Sequence, residues 1–231
     1  MIAVSDPPFT PTHEATLASV PARSNGRKSV VICDPDIALK FKMERESKGL
    51  GKYDEAWDGD TIVMSLPNDE HQDIVTRLAG LLLAIYSWQS PPHIRAGVNV
   101  SDRVEGWKEN YHCPDVTAYL EGNPAKNCGT HWCGGPDFLV EILSPDDPGR
   151  EKLPFYASVN SREVLVIDRK PWQLELYTLR DGKLLLAGIS TLDQTAGLKS
   201  TVLPLTFRLV AGAARPMIEI VHATSGQVWV V

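Results

Sequence analysis

One long stretch of this chain carries apolar residues at helical spacing. Ile74, Val75, Leu78, Leu81, Leu82 and Ile85 recur at three- and four-residue steps. Asn68 stands just ahead of them as an N-cap, so the pattern predicts a long helix from that point. His71 falls one turn before Ile74, at the edge of the buried stripe. Asp34-Pro35-Asp36 predicts an earlier helix, capped by Asp34 and stopped at Gly49. Elsewhere the apolar runs are short and punctuated. Residues 53–66 read as a hairpin turning at Asp58-Gly59. Strands are predicted over 93–100, 112–120, 137–144 and 163–169. Segment 121–136, rich in Gly, Asn and Cys, reads as a loop. Asp147-Pro148 opens a short helix that ends near Asn160. A second hairpin joins 173–179 to 183–188 around Asp181-Gly182. One more strand covers 199–210, and the tail ends in the β-prone run 227–231. Residues 1–27 hold four prolines and read as a disordered leader. The expected organisation is that leader, a single domain over 28–211 and a C-terminal extension over 212–231. The fold class is α/β (α+β).

Composition narrows the function. The formal net charge of −6 over 231 residues argues against a coat-like nucleic-acid binder, which would be basic. It leaves room for an enzyme that meets nucleic acid through one groove. Charge is uneven: residues 23–52 are rich in Lys and Arg, and residues 53–73 are acidic throughout. No secretory signal opens the chain, and the apolar run around Leu78–Tyr86 is far too short to span a bilayer. Four cysteines give no disulfide-scaffold density. A cytoplasmic location without membrane attachment is expected.

The run Phe138-Leu139-Val140-Glu141-Ile142-Leu143 carries the chemistry. An apolar strand is interrupted by one carboxylate, and burying it uncompensated costs on the order of several kcal/mol. A bound cation is the usual compensation. Asp137 lies four residues away, about 13 Å along an extended strand, too far to share an ion with Glu141. Asp115, on the preceding strand, is the better co-ligand. With the Ile142 carbonyl and water these groups make a hard, oxygen-rich site suited to Mg²⁺. Lys152 is expected on the helix after the Glu141 strand, where its ammonium meets charge developing on a phosphate. Tyr156 lies four residues on, on the same helical face.

The ordered set of motifs resembles the Uma-type restriction endonuclease family, within the PD-(D/E)xK nuclease superfamily. The matching residues are Glu55-Ala56-Trp57-Asp58-Gly59, Val63-Met64-Ser65-Leu66-Pro67, His71, Pro114-Asp115-Val116, Pro136 through Pro145, Lys152, Tyr156 and Val166-Ile167-Asp168. The resemblance implies a restriction-endonuclease-like mixed sheet flanked by helices, with an N-terminal helix and hairpin. It implies cleavage of DNA with Mg²⁺ or Mn²⁺, often by a homodimer. Asp115 and Glu141 would bind the metal, Glu55 would add an acidic group, Lys152 would be the active-site lysine, and His71 and Tyr156 would line the pocket. The superfamily's lysine two positions after the catalytic acid is absent, since Leu143 stands there, and Lys152 takes its place. Pro154 must then sit in the first turn of its helix.

Two other readings compete. Cys128 and Cys133, with His112 and Cys113, are candidate zinc ligands, although Cys-x₄-Cys lies outside the usual tight knuckle. Alternatively, a nuclease-like fold acts without cleavage as a nucleic-acid- or protein-binding module.

Overall fold

A computed structural model of the chain describes residues 30–49, 54–63, 67–86, 92–144, 149–194 and 196–231. The expected leader, Tyr53, residues 64–66, Pro145 and the Asp147-Pro148 helix start lie outside these residues.

The described chain begins with β1 (Val30–Ile32) and α1 (Pro35–Ser47). The Asp34 side chain accepts from the Asp36 and Ile37 N–H groups, 3.0 Å each, as an N-cap does. The hairpin β2 (Glu55–Trp57) and β3 (Asp60–Val63) turns at Asp58-Gly59, with φ +48° and +89°. Helix α2 (Asp69–Tyr86) follows. Next come β4 (His93–Ala96), β5 (Val100–Ser101), β6 (Tyr111–His112), β7 (Val116–Tyr119), β8 (Lys126–Asn127), β9 (Trp132–Cys133) and β10 (Phe138–Leu143). A 3₁₀ turn (Gly149–Lys152) leads into α3 (Leu153–Ser158), with Pro154 in the first turn. The chain ends in β11 (Glu163–Arg169), β12 (Trp172–Arg180), β13 (Lys183–Ser190), β14 (Leu198–Lys199), β15 (Leu205–Val210), β16 (Met217–His222) and β17 (Val228–Val230).

Among the described residues the strands form three sheets, ordered β1-β3-β2-β6-β5-β9-β8, β13-β12-β11-β10-β7-β4 and β14-β15-β16-β17. The middle one is the expected mixed sheet: β10 runs parallel to β11 and antiparallel to β7. A parallel neighbour needs a crossover, and the 3₁₀ turn with α3 supplies it. Helices flank both faces, because alternate residues of β10 face opposite ways. Phe138, Val140 and Ile142 join the apolar face of α2 in the larger core. Leu139 and Leu143 pack with Tyr156 of α3. Glu141 lies between them in sequence and shares their face.

The strands expected over 93–100 and 112–120 are each broken in two, and the halves belong to different sheets. Gly97 takes a left-handed φ of +59° between β4 and β5. Between β6 and β7 stands Cys113-Pro114-Asp115, where proline has no N–H to give a ladder. The expected loop 121–136 contains the short pair β8 and β9. The expected strand 199–210 is interrupted by a turn whose Ser200 and Thr201 donate to the buried Glu163 carboxylate.

Segment 212–231, expected as an extension, is built into the core. Strand β16 pairs with β15 over Leu205–Val210, and Ile218, Ile220 and Val231 are buried with Leu205, Phe207 and Leu209. Ile220 is fully buried. Ile220→Ala is therefore expected to cost about 2–5 kcal/mol, read as a lowered midpoint in urea unfolding. A loss well under 1 kcal/mol would mean that the C-terminal strands melt apart from the rest.

Candidate active site

The carboxylate that breaks the apolar run is buried, with Glu141 only 4% exposed. The Lys152 ammonium lies 3.2 Å from its Oε2 and 2.9 Å from Oε1 of Glu55, bridging β10 to the first hairpin. The Tyr156 hydroxyl donates to Glu141 Oε1. Lys152 and Tyr156 thus reach the same carboxylate, as residues four apart do across one helical turn. Lys152 is placed by the 3₁₀ turn that precedes α3, one residue ahead of the helix on which it was expected. Arg150 anchors that turn, donating to Glu175 at 3.0 and 2.7 Å and to Asp168 at 2.7 Å.

Glu55 is held on every side. The Cys113 N–H donates to Oε1 at 2.9 Å, the Trp57 indole donates to Oε2 at 2.7 Å, and His112 Nδ1 lies 3.4 Å from Oε2. His112 stacks on Trp57 and packs against Phe155. Trp57 is local to β2, but Cys113 and His112 reach Glu55 through the pairing of β2 with β6, a contact that no local pattern announces. His112 stood in the sequence only as a candidate zinc ligand.

Asp115 occupies the break before β7. Its Oδ2 accepts from the Ile142 N–H at 2.7 Å, and His71 Nε2 lies 3.2 Å from Oδ1. The Asp115 side chain is 20% exposed, the most open of the set. Ile142 thus offers its N–H to Asp115. Both backbone groups of a strand residue leave by the same edge, so its carbonyl emerges on the Asp115 side. Asp137 is elsewhere, accepting from Leu120 N–H, Asn123 and Arg162.

Electrostatics separates the two glutamates. Burial pushes the Glu141 carboxyl up to about 8; Lys152 opposes this, and the Asp115 and Glu55 carboxylates add to it. Burial also acts on Glu55, but Lys152, His112 and the Cys113 N–H outweigh it and hold that carboxyl well below its usual range. One ammonium neutralises one carboxylate, and Glu141 bears the imbalance. Burial pushes the His112 imidazole down and the Tyr156 hydroxyl far up.

Among the described residues, no group of three or more His, Cys, Asp or Glu side chains is poised to hold a metal ion. That applies to the cysteine candidates as well: Cys128 Sγ donates to the Lys126 carbonyl, and all four cysteines are free thiols. Two carboxylates and a main-chain carbonyl nevertheless suit a hard divalent ion completed by water. Asp115, partly open and hydrogen-bonded to the residue after Glu141, keeps these oxygen donors on one side of the strand, and their chemistry fits such an ion.

A family model, Uma2, described as "Putative restriction endonuclease", matches residues 41–211. The chain belongs to this family. No curated protein matches it. Among solved structures, the Uma2 chain is similar to a putative nuclease belonging to DUF820 from Anabaena variabilis ATCC 29413. Identity is 15% and the TM-score 0.47, covering 58% of this chain and 75% of that one. The family match carries the assignment.

The Glu141 shift has a stability consequence. Burial holds the native carboxyl's pKa above the ordinary 4.5 that it recovers when unfolded. Between those values the native state binds more protons, so stability falls as pH rises, by at most about 1.4 kcal/mol per unit. Glu141→Gln keeps the neutral shape and removes this titration. Without divalent ions, the wild-type melting temperature should drop from pH 5 to pH 8 more steeply than that of Glu141→Gln. Parallel profiles would place the Glu141 pKa in the ordinary carboxylate range.

Proposed function

We propose that this Uma2 protein is a divalent-metal-dependent endonuclease that hydrolyses DNA phosphodiester bonds. The observation that carries this reading is the buried Lys152 ammonium between Glu55 and Glu141, with Asp115 hydrogen-bonded to the residue that follows Glu141. Asp115, Glu141 and the Ile142 carbonyl would hold Mg²⁺ or Mn²⁺. Such an ion supplies Lewis-acid charge at the phosphate oxygens and makes water easier to deprotonate. Lys152 stabilises negative charge developing on the phosphate. Glu55 holds the ammonium in place, Tyr156 fixes the rotation of the Glu141 carboxyl, and His71 orients Asp115. The His112 ring, stacked on Trp57, stands beside Glu55.

Duplex DNA has two strands to cut, which suits a homodimer, and four free thiols suit a reducing cytoplasm. No described helix is long and apolar enough to cross a membrane.

A second reading is supported by the closed state of Glu141, whose oxygens already face Lys152 and Tyr156. On that reading the fold binds nucleic acid or protein without cutting. Cleavage of supercoiled plasmid and linear DNA separates the two. Nicking or cutting is expected with Mg²⁺ or Mn²⁺ and none after chelation. Asp115→Ala, Glu141→Ala and Lys152→Ala should each lower the rate at least 100-fold while leaving the proteins folded by circular dichroism. Persistent cleavage in all three would sink the site assignment. A wild type that never cuts, with or without metal, would favour the binding module.

A further inference from the structure

Arg169 lies outside every motif above, yet its side chain is only 5% exposed and joins three parts of the fold. Nε donates to the Leu143 carbonyl at 3.1 Å and Nη2 to Ser144 Oγ at 3.1 Å, at the end of the Glu141 strand. Nη1 donates to Asn68 Oδ1 at 2.9 Å and to Glu70 Oε2 at 3.0 Å, at the start of α2. Asn68 Oδ1 also accepts the His71 N–H at 3.0 Å, so one oxygen caps α2 and receives the guanidinium. His71 in turn meets Asp115 Oδ1, and Asp115 Oδ2 takes the Ile142 N–H. The contacts close a ring: Asp115, Ile142, Leu143, Arg169, Asn68, His71 and back to Asp115. The entry to β7, strand β10, strand β11 and helix α2 each supply a part.

We infer that Arg169 is a positioning residue for the metal-binding carboxylate Asp115, acting through Asn68 and His71. This deepens the nuclease reading and rests on it. Asp115 stands just ahead of β7, and its carboxylate meets the Ile142 N–H and the His71 ring on different elements. Its orientation depends on those elements keeping their spacing, and Arg169 is the tie between them. A planar guanidinium with donors on three nitrogens spans a carbonyl, a hydroxyl, an amide oxygen and a carboxylate at once. A lysine keeps the charge and loses the span. Groups that orient a metal ligand typically change metal affinity or activity by about 10- to 100-fold when removed.

The test is Mn²⁺ binding by titration calorimetry on the full chain, paired with the Mn²⁺ dependence of DNA cleavage. Arg169→Lys should weaken binding about tenfold or more and raise the half-maximal Mn²⁺ for cleavage by the same factor. The rate at saturating Mn²⁺ should stay within a few-fold. Asn68→Ser keeps a capping oxygen for His71 N–H but draws it back from Arg169, and should behave alike even if Arg169→Lys folds poorly. Arg208→Lys, which alters an exposed pair with Glu219 at 2.6 Å, should match wild type. The inference is overturned if folded Arg169→Lys and Asn68→Ser bind Mn²⁺ as wild type does, or lose maximal rate with unchanged Mn²⁺ dependence. If Asp115→Ala binds Mn²⁺ as tightly as wild type, it is the metal reading that fails. His71 ring resonances in metal-free protein then decide the positioning role separately. A shift in Arg169→Lys towards the pattern of Asp115→Asn supports it, and unchanged resonances overturn it.

Discussion

A carboxylate inside an apolar strand cannot stand alone, and the arrangement around Glu141 follows from that constraint. Removing a charge from water costs several kcal/mol at the least, so Glu141 needs compensation from the groups that touch it. Lys152 brings a full positive charge and Tyr156 brings a hydroxyl, and burial still pushes the carboxyl's pKa above the ordinary range. The same ammonium fixes Glu55, which ties the N-terminal hairpin to the crossover between β10 and β11. Two sheets and a helix are therefore joined through one buried nitrogen. A divalent ion at Asp115 and Glu141 would relieve the same shortage of positive charge.

The site lies where regular structure stops. The chain leaves one sheet at Tyr111–His112 and enters another at Val116, and Pro114 between them has no N–H to give a ladder. Across this switch the Cys113 N–H turns to Glu55, while Asp115 gives its backbone N–H to the Val140 carbonyl and turns its side chain to the Ile142 N–H. The 3₁₀ turn before α3 does the same for Lys152, anchored by Arg150 on Asp168 and Glu175. The candidate side chains are thus held where regular structure ends, while the apolar faces of β10, β11 and α2 pack around them.

Much of this was legible in the chain. Caps, period and turn residues located α1, α2, the two hairpins and β11, because each depends on neighbours in sequence. The carboxylate in an apolar run marked Glu141, and extended-strand geometry excluded Asp137 as its co-ligand. The broken strands were only half legible: Pro114 marks an interruption within 112–120, but that the two sides pair in different sheets, as β6 and β7, is set by long-range contacts. The role of the C-terminal strands was hidden likewise, since β16 acquires its buried face from β15 and the larger core.

The division between what is local and what is not has a physical cause. Secondary-structure period, capping and the cost of a buried carboxylate are properties of short segments, so the sequence alone determined the elements, the family resemblance and the candidates Glu55, His71, Asp115, Glu141, Lys152 and Tyr156. Which candidates touch, and who holds them, is a matter of long-range pairing. Glu55 meets Lys152 across 97 positions and Arg169 meets Asn68 across 101. Only the tertiary structure decided that His112 supports Glu55, that Ile142 offers its N–H to Asp115 and that Arg169 closes the ring. Burial and hydrogen bonding between such distant residues exist only once the sheets have assembled.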